Sequence, residues 1–135
     1  MLPIFTARDC VKAARSAGGN SCVRIGRKDG WTVVWDDKLA TPETDRGAPL
    51  SSDQTLVVSD EQFDAFQEAL RAGRTDGQCI RIQQSSAGRY TFTAREAPHS
   101  RNTGVALHFD CDEFDAFMSG VRNGEFDLAQ FPAAA

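Results

Sequence analysis

Asp36, Asp37 and Lys38 stand together in the sequence as two carboxylates beside an amine, a set that could support acid–base chemistry. They follow segment 31–35, WTVVW, whose β-branched and aromatic residues predict a strand. Neighbouring residues of a strand point to opposite faces, so the two carboxylates should diverge and not act as a pair unless a turn intervenes. We therefore expect this segment to form a turn or to hold Lys38 in an ion pair.

The other residues that could catalyse a reaction or bind a metal are few and poorly spaced. The two histidines are His99, in a polar loop, and His108, on a predicted strand. The sequence shows no set of nucleophile and base and no phosphate-binding loop, so we expect no catalysis and no cofactor. His108 and Cys111 lie three residues apart without a second ligand pair, so we expect no metal. Reduced thiols are expected for all four cysteines, Cys10, Cys22, Cys79 and Cys111.

Composition and net charge favour a small globular domain over a nucleic-acid-binding or membrane protein. The 135 residues are 41% hydrophobic, which suits one modest core. The formal net charge of −4 disfavours direct binding to nucleic acid, because phosphate contacts need clustered Lys and Arg. The N-terminal residues do not resemble a secretory signal, and no apolar run approaches the roughly 18 residues of a membrane span. We expect a cytoplasmic protein that does not enter a membrane.

Elements of the same order occur twice along the chain. The phrase FDAFQEALRAG at 63–73 returns as FDAFMSGVRNG at 114–124. Helical spacing of the apolar residues predicts helices near 60–72 and 111–123, which begin at the caps Ser59 and Asp110. Alternating apolar residues predict three strands before each helix. These strands are at 22–26, 31–35 and 56–58, and again at 79–82, 89–93 and 107–109.

The repeat predicts an α+β fold made by internal duplication of a β-β-β-α unit. Each unit alone has one bare sheet face, so we expect the two to pack with pseudo-twofold symmetry, with their helix phenylalanines buried. We assign residues 1–19 to an N-terminal helical segment, with the helix itself near 7–17. Residues 20–76 form the first repeat, residues 77–127 the second, and residues 128–135 a C-terminal tail.

Four arginines occupy matching places in the two repeats. Arg24 and Arg81 lie at outward strand positions beside Cys22 and Cys79, and Arg71 and Arg122 lie in the last helical turns. A cation near a helix C-terminus suits the helix dipole, and an arginine on a strand face can simply be solvated. The alternative is that these residues line a surface where the halves, or a partner, meet.

The ordered motif residues resemble an actinobacterial domain-of-unknown-function family, number 397, which includes BldB-like developmental regulators. In the first copy the matching residues are Gly19, Asn20, Cys22, Val23, Ile25, Val34, Asp36, Lys38, Leu56, Ser59, Phe63, Phe66 and Gly73. In the second copy they are Cys79, Ile80, Ile82, Phe92, Leu107, Phe114, Phe117, Gly124, Glu125 and Phe126. The family usually has Asp-Ser-Lys after its second strand, whereas this chain has Asp36-Asp37-Lys38 and then Ala94-Arg95-Glu96.

The resemblance implies a small cytoplasmic accessory partner of a helix-turn-helix transcriptional regulator, with antitoxin-like action as one form of that role. It implies no catalysis and no cofactor, and it implies that a tandem copy acts as a monomeric, covalent pseudo-dimer. The candidate partner-binding residues are Arg24, Arg81, Arg71, Arg122, Asp36, Asp37 and Lys38. The alternative is a small-ligand or metal sensor on the same scaffold, with Cys22 and Cys79 facing each other across the pseudo-twofold axis.

Overall fold

The computed structural model describes residues 3–13, 23–75, 79–85, 88–94 and 105–131. They form an α+β protein with two small antiparallel sheets and three α-helices. The first sheet has the strand order β1 (Cys10–Val11), β2 (Val23–Lys28), β3 (Trp31–Asp36) and β4 (Thr55–Ser59). The second has the order β5 (Ile80–Gln84), β6 (Tyr90–Ala94) and β7 (Ala106–Phe109). The helices are α1 (Pro42–Asp45), α2 (Asp60–Arg71) and α3 (Cys111–Arg122).

Local sequence signals set the bounds of these elements, and the six predicted strands and two long helices are confirmed. The two-residue turn between β2 and β3 consists of Asp29 and Gly30, both with positive φ, as a type I′ hairpin requires. Ser59 accepts a hydrogen bond from the Gln62 backbone N–H at 3.2 Å, which caps α2. Asp110 caps α3 in the same way at 2.8 Å. Among the described residues, no helix is long and apolar enough to cross a membrane.

One apolar core lies between the two sheets and the two long helices. Phe63, Phe66 and Phe117 are fully buried in it, as predicted from the helical spacing. The rings of Phe66 and Phe117 stack with centroids 6.4 Å apart, so α2 and α3 meet through these side chains. Phe114 differs from the prediction because it is only half-buried, and its ring stacks on Tyr90 at 3.9 Å.

The predicted N-terminal helix is wrong over the residues that the structure describes, 7–13. A 3-10 turn at Ala7–Asp9 gives way to β1, which pairs with the edge of β2. The capping signal at Thr6 is real, since its backbone N–H donates to Asp9 Oδ2 at 2.8 Å, but it starts a single turn. The rest of the predicted helix, residues 14–17, lies outside the described residues.

Tertiary packing explains why this segment is extended. The segment has too few apolar residues to form the apolar face of a helix. In its extended conformation along the sheet edge, Phe5 and Cys10 are buried against Val33 and Val57. Gly26 permits the close approach, because a Cβ at that position would lie 2.9 Å from Cys10 Sγ.

The predicted C-terminal tail is also partly wrong. Residues 128–131 include a 3-10 turn at Leu128–Gln130 and end at Phe131, which is buried in the shared core. Just before them, Phe126 is fully buried and stacks on Phe117 at 5.7 Å. Gly120 leaves room for that ring, since a Cβ there would lie 2.6 Å from it. The segment after α3 is therefore part of the core.

Substituting Phe117→Ala should lower the free energy of unfolding by about 3–5 kcal/mol, because a buried ring would leave a cavity between the halves. Phe114→Ala is the matched control and should cost less, because that ring is half-buried. Urea denaturation followed by circular dichroism measures both. Equal losses, or a near-wild-type Phe117→Ala variant, would mean that the core does not depend on the contact between α2 and α3.

Candidate functional site

Arg27 forms a buried charge network that the sequence analysis did not anticipate. Its guanidinium has no exposed surface, although it belongs to a strand. The alternation of β2 places Arg27 on the inward face with Val23 and Ile25, and a cation at an inward position is the signal that could have revealed it. In the second sheet, Gln84 occupies the position that corresponds to Arg27. Because glutamine carries no charge, the network is particular to the first half.

The Arg27 network joins three parts of the chain. One amino group lies 2.9 Å from Asp64 Oδ1 and also donates to the backbone carbonyl of Asp60. The other amino group donates to the carbonyl of Phe126 at 3.0 Å, and the guanidinium lies 5.1 Å from the centre of the Phe63 ring. Arg27 therefore ties β2 to the start of α2 and to the segment after α3, and its role is structural.

Lys38 makes a second ionic link, from the first half to the second. Its Nζ lies 2.7 Å from Glu113 Oε2 and 3.3 Å from Asp36 Oδ1, and both carboxylate side chains are only 7% exposed. Nζ also donates to the carbonyl of His108 and lies 4.9 Å from the centre of the Phe109 ring. The predicted ion pair between Lys38 and its neighbouring carboxylate is thus confirmed, and it extends to α3.

Burial and the neighbouring charges shift the pKa values of Asp36 and Lys38 in opposite directions. Burial raises the pKa of Asp36 and outweighs the lowering effect of Lys38. For Lys38, burial lowers the pKa, but the hydrogen bond to Glu113 and the charge of Asp36 together raise it above its usual value. The amine is therefore held in its charged form and is poorly suited to act as a base at neutral pH.

Asp37 pairs with a different cation from Asp36, and the two are separated by the end of β3, since a 3-10 turn at Asp37–Leu39 begins with Asp37. Its Oδ2 accepts from Arg24 Nε at 2.8 Å, in an ion pair whose side chains are both partly buried. The pair lies in a cleft of about 410 Å³ whose lining also includes Arg8, Trp35 and Asp45. Trp35 is buried, and among the described residues its Nε1 has no hydrogen-bond partner. The cleft thus combines both signs of charge with this indole N–H.

The remaining predicted site residues fall into two groups. Arg71 is used inside the molecule, since it donates to the Val121 carbonyl and to Asp127 Oδ1, each at 2.8 Å. Arg81 and Arg122 are exposed, and in the described part of the chain no ion pair holds either of them. Of the four matching arginines, two are therefore used internally and two face solvent.

The outer faces of the two sheets differ. On the first sheet, Val33 and Val57 are covered by Phe5 and Leu50 from elsewhere in the chain. On the second sheet, the residues at matching register positions are Thr91 and His108, and they are not part of any apolar cluster. We call this second surface the open sheet face; its members are Arg81, Gln83, Thr91, Thr93 and His108.

The thiols and histidines add no reactive site within the described residues. Cys10, Cys79 and Cys111 are free thiols, and burial raises the pKa of Cys10 and of Cys79 to about 12. No group of three or more His, Cys, Asp or Glu side chains in those ranges is placed to hold a metal ion. Cys22 and His99 lie outside the described residues, so the predicted facing of Cys22 and Cys79 stays a prediction.

Comparison of the chain with protein-family models, with curated proteins and with solved structures found no match. The resemblance to family 397 therefore stays a prediction that rests on the motif residues.

Replacing Lys38 with Met should lower the free energy of unfolding at pH 7 by about 1–2 kcal/mol, since two buried carboxylates lose their cation but the lysine side chain is 44% exposed. Without the cation, the pKa of Asp36 rises further. The loss should therefore grow as the pH rises from about 4 to 7, and it should shrink where Asp36 is protonated. Urea denaturation across this pH range measures it.

In the wild type, the raised pKa of Lys38 means that its stabilising effect is present at neutral pH and disappears only above about pH 10. The variant Lys38→Met with Glu113→Gln is the control for charge, because it removes one of the two carboxylates and should recover part of the loss. A loss in Lys38→Met that is the same at pH 4 and pH 7 would show that packing, and not charge, is its cause.

Proposed function

We propose that this chain is a non-catalytic protein-interaction module that acts as an accessory partner of a helix-turn-helix transcriptional regulator in the cytoplasm. The open sheet face carries the proposal. The first sheet's outer face is covered by the chain's own residues, whereas the second presents side chains that can donate and accept hydrogen bonds, with Arg81 at its edge. Arginine at the centre of an interface often contributes strongly to binding.

We further propose that the module is an internal duplication with pseudo-twofold symmetry. The pairing registers support this, since Val34 lies opposite Ile25 and Leu56 in the first sheet. In the second sheet Phe92 likewise lies opposite Ile82 and Leu107. In the repeat, β3 corresponds to β6 and β4 corresponds to β7. A twofold axis would therefore convert a contact of β4 with β6 into a contact of β7 with β3, and both contacts are present.

The same symmetry supports a role beside a dimeric regulator. Helix-turn-helix regulators usually bind DNA as twofold dimers, and a monomeric pseudo-dimer could match that symmetry. The match would be imperfect, because only the second half has an open sheet face. We therefore expect the regulator to be engaged chiefly through the second half, with Arg81 and Arg122 as the candidate contacts.

Two features favour a protein partner over DNA or a substrate. The net charge of −4 gives little counterion release on binding to duplex DNA. The charged residues brought together by the fold, around Arg27 and Lys38, are engaged in structural ion pairs. Neither cluster contains a nucleophile with a base, and this supports a non-catalytic role.

Arg81→Ala should weaken binding to the helix-turn-helix regulator encoded beside this protein by about tenfold or more, with an almost unchanged melting temperature, because Arg81 is exposed. Arg24→Ala is the matched control, since its guanidinium is already bound to Asp37, and it should change the affinity much less. Isothermal titration of each variant against the regulator measures both effects.

The same proteins should be tested for a mobility shift on the regulator's promoter. A tight, sequence-specific shift by the isolated chain would contradict the accessory role. Failure of the wild type to bind the regulator would contradict the choice of partner. Equal binding by wild type and Arg81→Ala would move the interface away from the open sheet face.

A second candidate function, a small-ligand sensor, is favoured by the cleft around Trp35. Its volume of about 410 Å³ falls within the usual range for ligand sites. The Trp35 indole N–H, which has no partner among the described residues, and the Arg24 guanidinium could both donate hydrogen bonds to an acceptor group of a ligand. Native mass spectrometry of protein purified from its own cells should show a bound small mass if this is the function. Trp35→Phe should then lose that mass, whereas a wild-type protein without any added mass would argue against the sensor.

A further inference from the structure

Strand β5 lies at an edge of its sheet, whereas the matching strand β2 does not. In the first sheet β1 pairs with β2, with Cys10 opposite Gly26 and Val11 opposite Ile25. Among the described strands, none pairs with the outer side of β5. The two residues of β2 that β1 covers are buried, whereas their matches in β5, Ile82 and Gln83, are half-buried and exposed. An unpaired edge of this kind offers backbone N–H and C=O groups to another strand.

The charge at this edge is also unbalanced. In the first half Arg24 is neutralised by Asp37 at 2.8 Å. Asp36 lies opposite Val23 in the first sheet, and Ala94 lies opposite Ile80 in the second, so Ala94 occupies the position that corresponds to Asp36. The sequence then aligns Asp37 with Arg95, which lies outside the described residues. Arg81 is exposed, and no ion pair holds it within the part of the chain that the structure describes.

We propose that an extended segment of the partner protein adds to β5 as an antiparallel strand, with an acidic side chain opposite Arg81. The inference rests on the proposed function in that the added strand belongs to the regulator. Backbone pairing supplies most of the affinity in this mode of recognition, and side chains facing the sheet supply the selectivity. The open sheet face is polar, so the added strand must be polar on that side, unlike the apolar cover of the first sheet.

The pairing of β1 with β2 gives the register of the added strand. Its residues lie opposite Gln83 and Ile82, as Cys10 and Val11 lie opposite their partners. The next residue in the first half is Lys12, whose Nζ is 4.0 Å from Asp37 Oδ2. At the corresponding place beside Arg81 a lysine would be repelled, whereas a glutamate would be attracted.

The test uses two synthetic peptides of residues 3–13 and the full-length protein. Both peptides carry Cys10→Ser and Phe5→Ser, which remove the thiol and make the side that faces the open sheet face polar, and one also carries Lys12→Glu. Binding is followed by fluorescence anisotropy, and amide hydrogen exchange locates the bound peptide. We expect the Lys12→Glu peptide to bind about two- to fivefold more tightly than its lysine control, the range typical of an exposed ion pair. It should also slow exchange within Ile80–Gln84.

The protein variant Arg81→Glu should reverse the order of the two peptides, and it should fold normally because residue 81 is exposed. No slowing of exchange in β5 at about 1 mM peptide, a range that detects even weak binding, would overturn the inference. So would slowing only in Val23–Lys28, which would mean that the peptide replaces β1. An unchanged order of the peptides with Arg81→Glu would overturn the acidic contact.

Amide exchange in the complex with the regulator separates this inference from the proposed function. Binding of the regulator without slower exchange in β5 would overturn the strand addition and leave the partnership standing. Peptide addition to β5 without any binding of the regulator would contradict the proposed partner and support β5 as a strand-accepting edge.

Discussion

The shared core is the constraint on which the rest of the structure depends. The first half has a four-stranded sheet and the second a three-stranded one, and the apolar side of each sheet and of its long helix packs against the other half. Phe66 and Phe117 meet at the centre of this core, and both sheets and the segment after α3 pack around them. Units of about 60 residues bury a small share of their surface alone, so packing the halves together is what makes a stable domain possible.

The two ionic clusters follow from that packing. Arg27 and Lys38 lie where the first half meets α3 or the segment after it, and each is held by carboxylates and backbone carbonyls. Buried charges are costly unless they are paired, so these links require one particular arrangement of the halves. Within the Asp36–Lys38 segment, Lys38 connects the halves through Glu113, whereas Asp37 pairs with Arg24 inside the first half.

Divergence between the two sheets provides the basis for a functional surface. The first sheet has an apolar outer face that the N-terminal segment covers with Phe5 and Cys10. The second has threonines, His108 and Arg81 on the same side, and no described strand pairs with the outer side of its edge strand β5. The two halves therefore differ in the groups that they leave exposed, and the proposed partner surface lies on the second half. This difference is compatible with the charge of the chain and requires no reactive centre.

The sequence by itself determined the elements whose signals are local. Alternation predicted six strands, and the caps Ser59 and Asp110 with the spacing of the phenylalanines predicted α2 and α3, because these features depend on neighbouring residues. Only the tertiary structure decided that Cys10 and Val11 form a strand, that Phe131 enters the core, and that Arg24 and Arg71 are engaged while Arg81 is open. These outcomes depend on partners far along the chain, such as Gly26 for Cys10 and Val121 for Arg71. A helix propensity of a few tenths of a kcal/mol per residue is easily outweighed by such burial and pairing, so the local pattern could not reveal them.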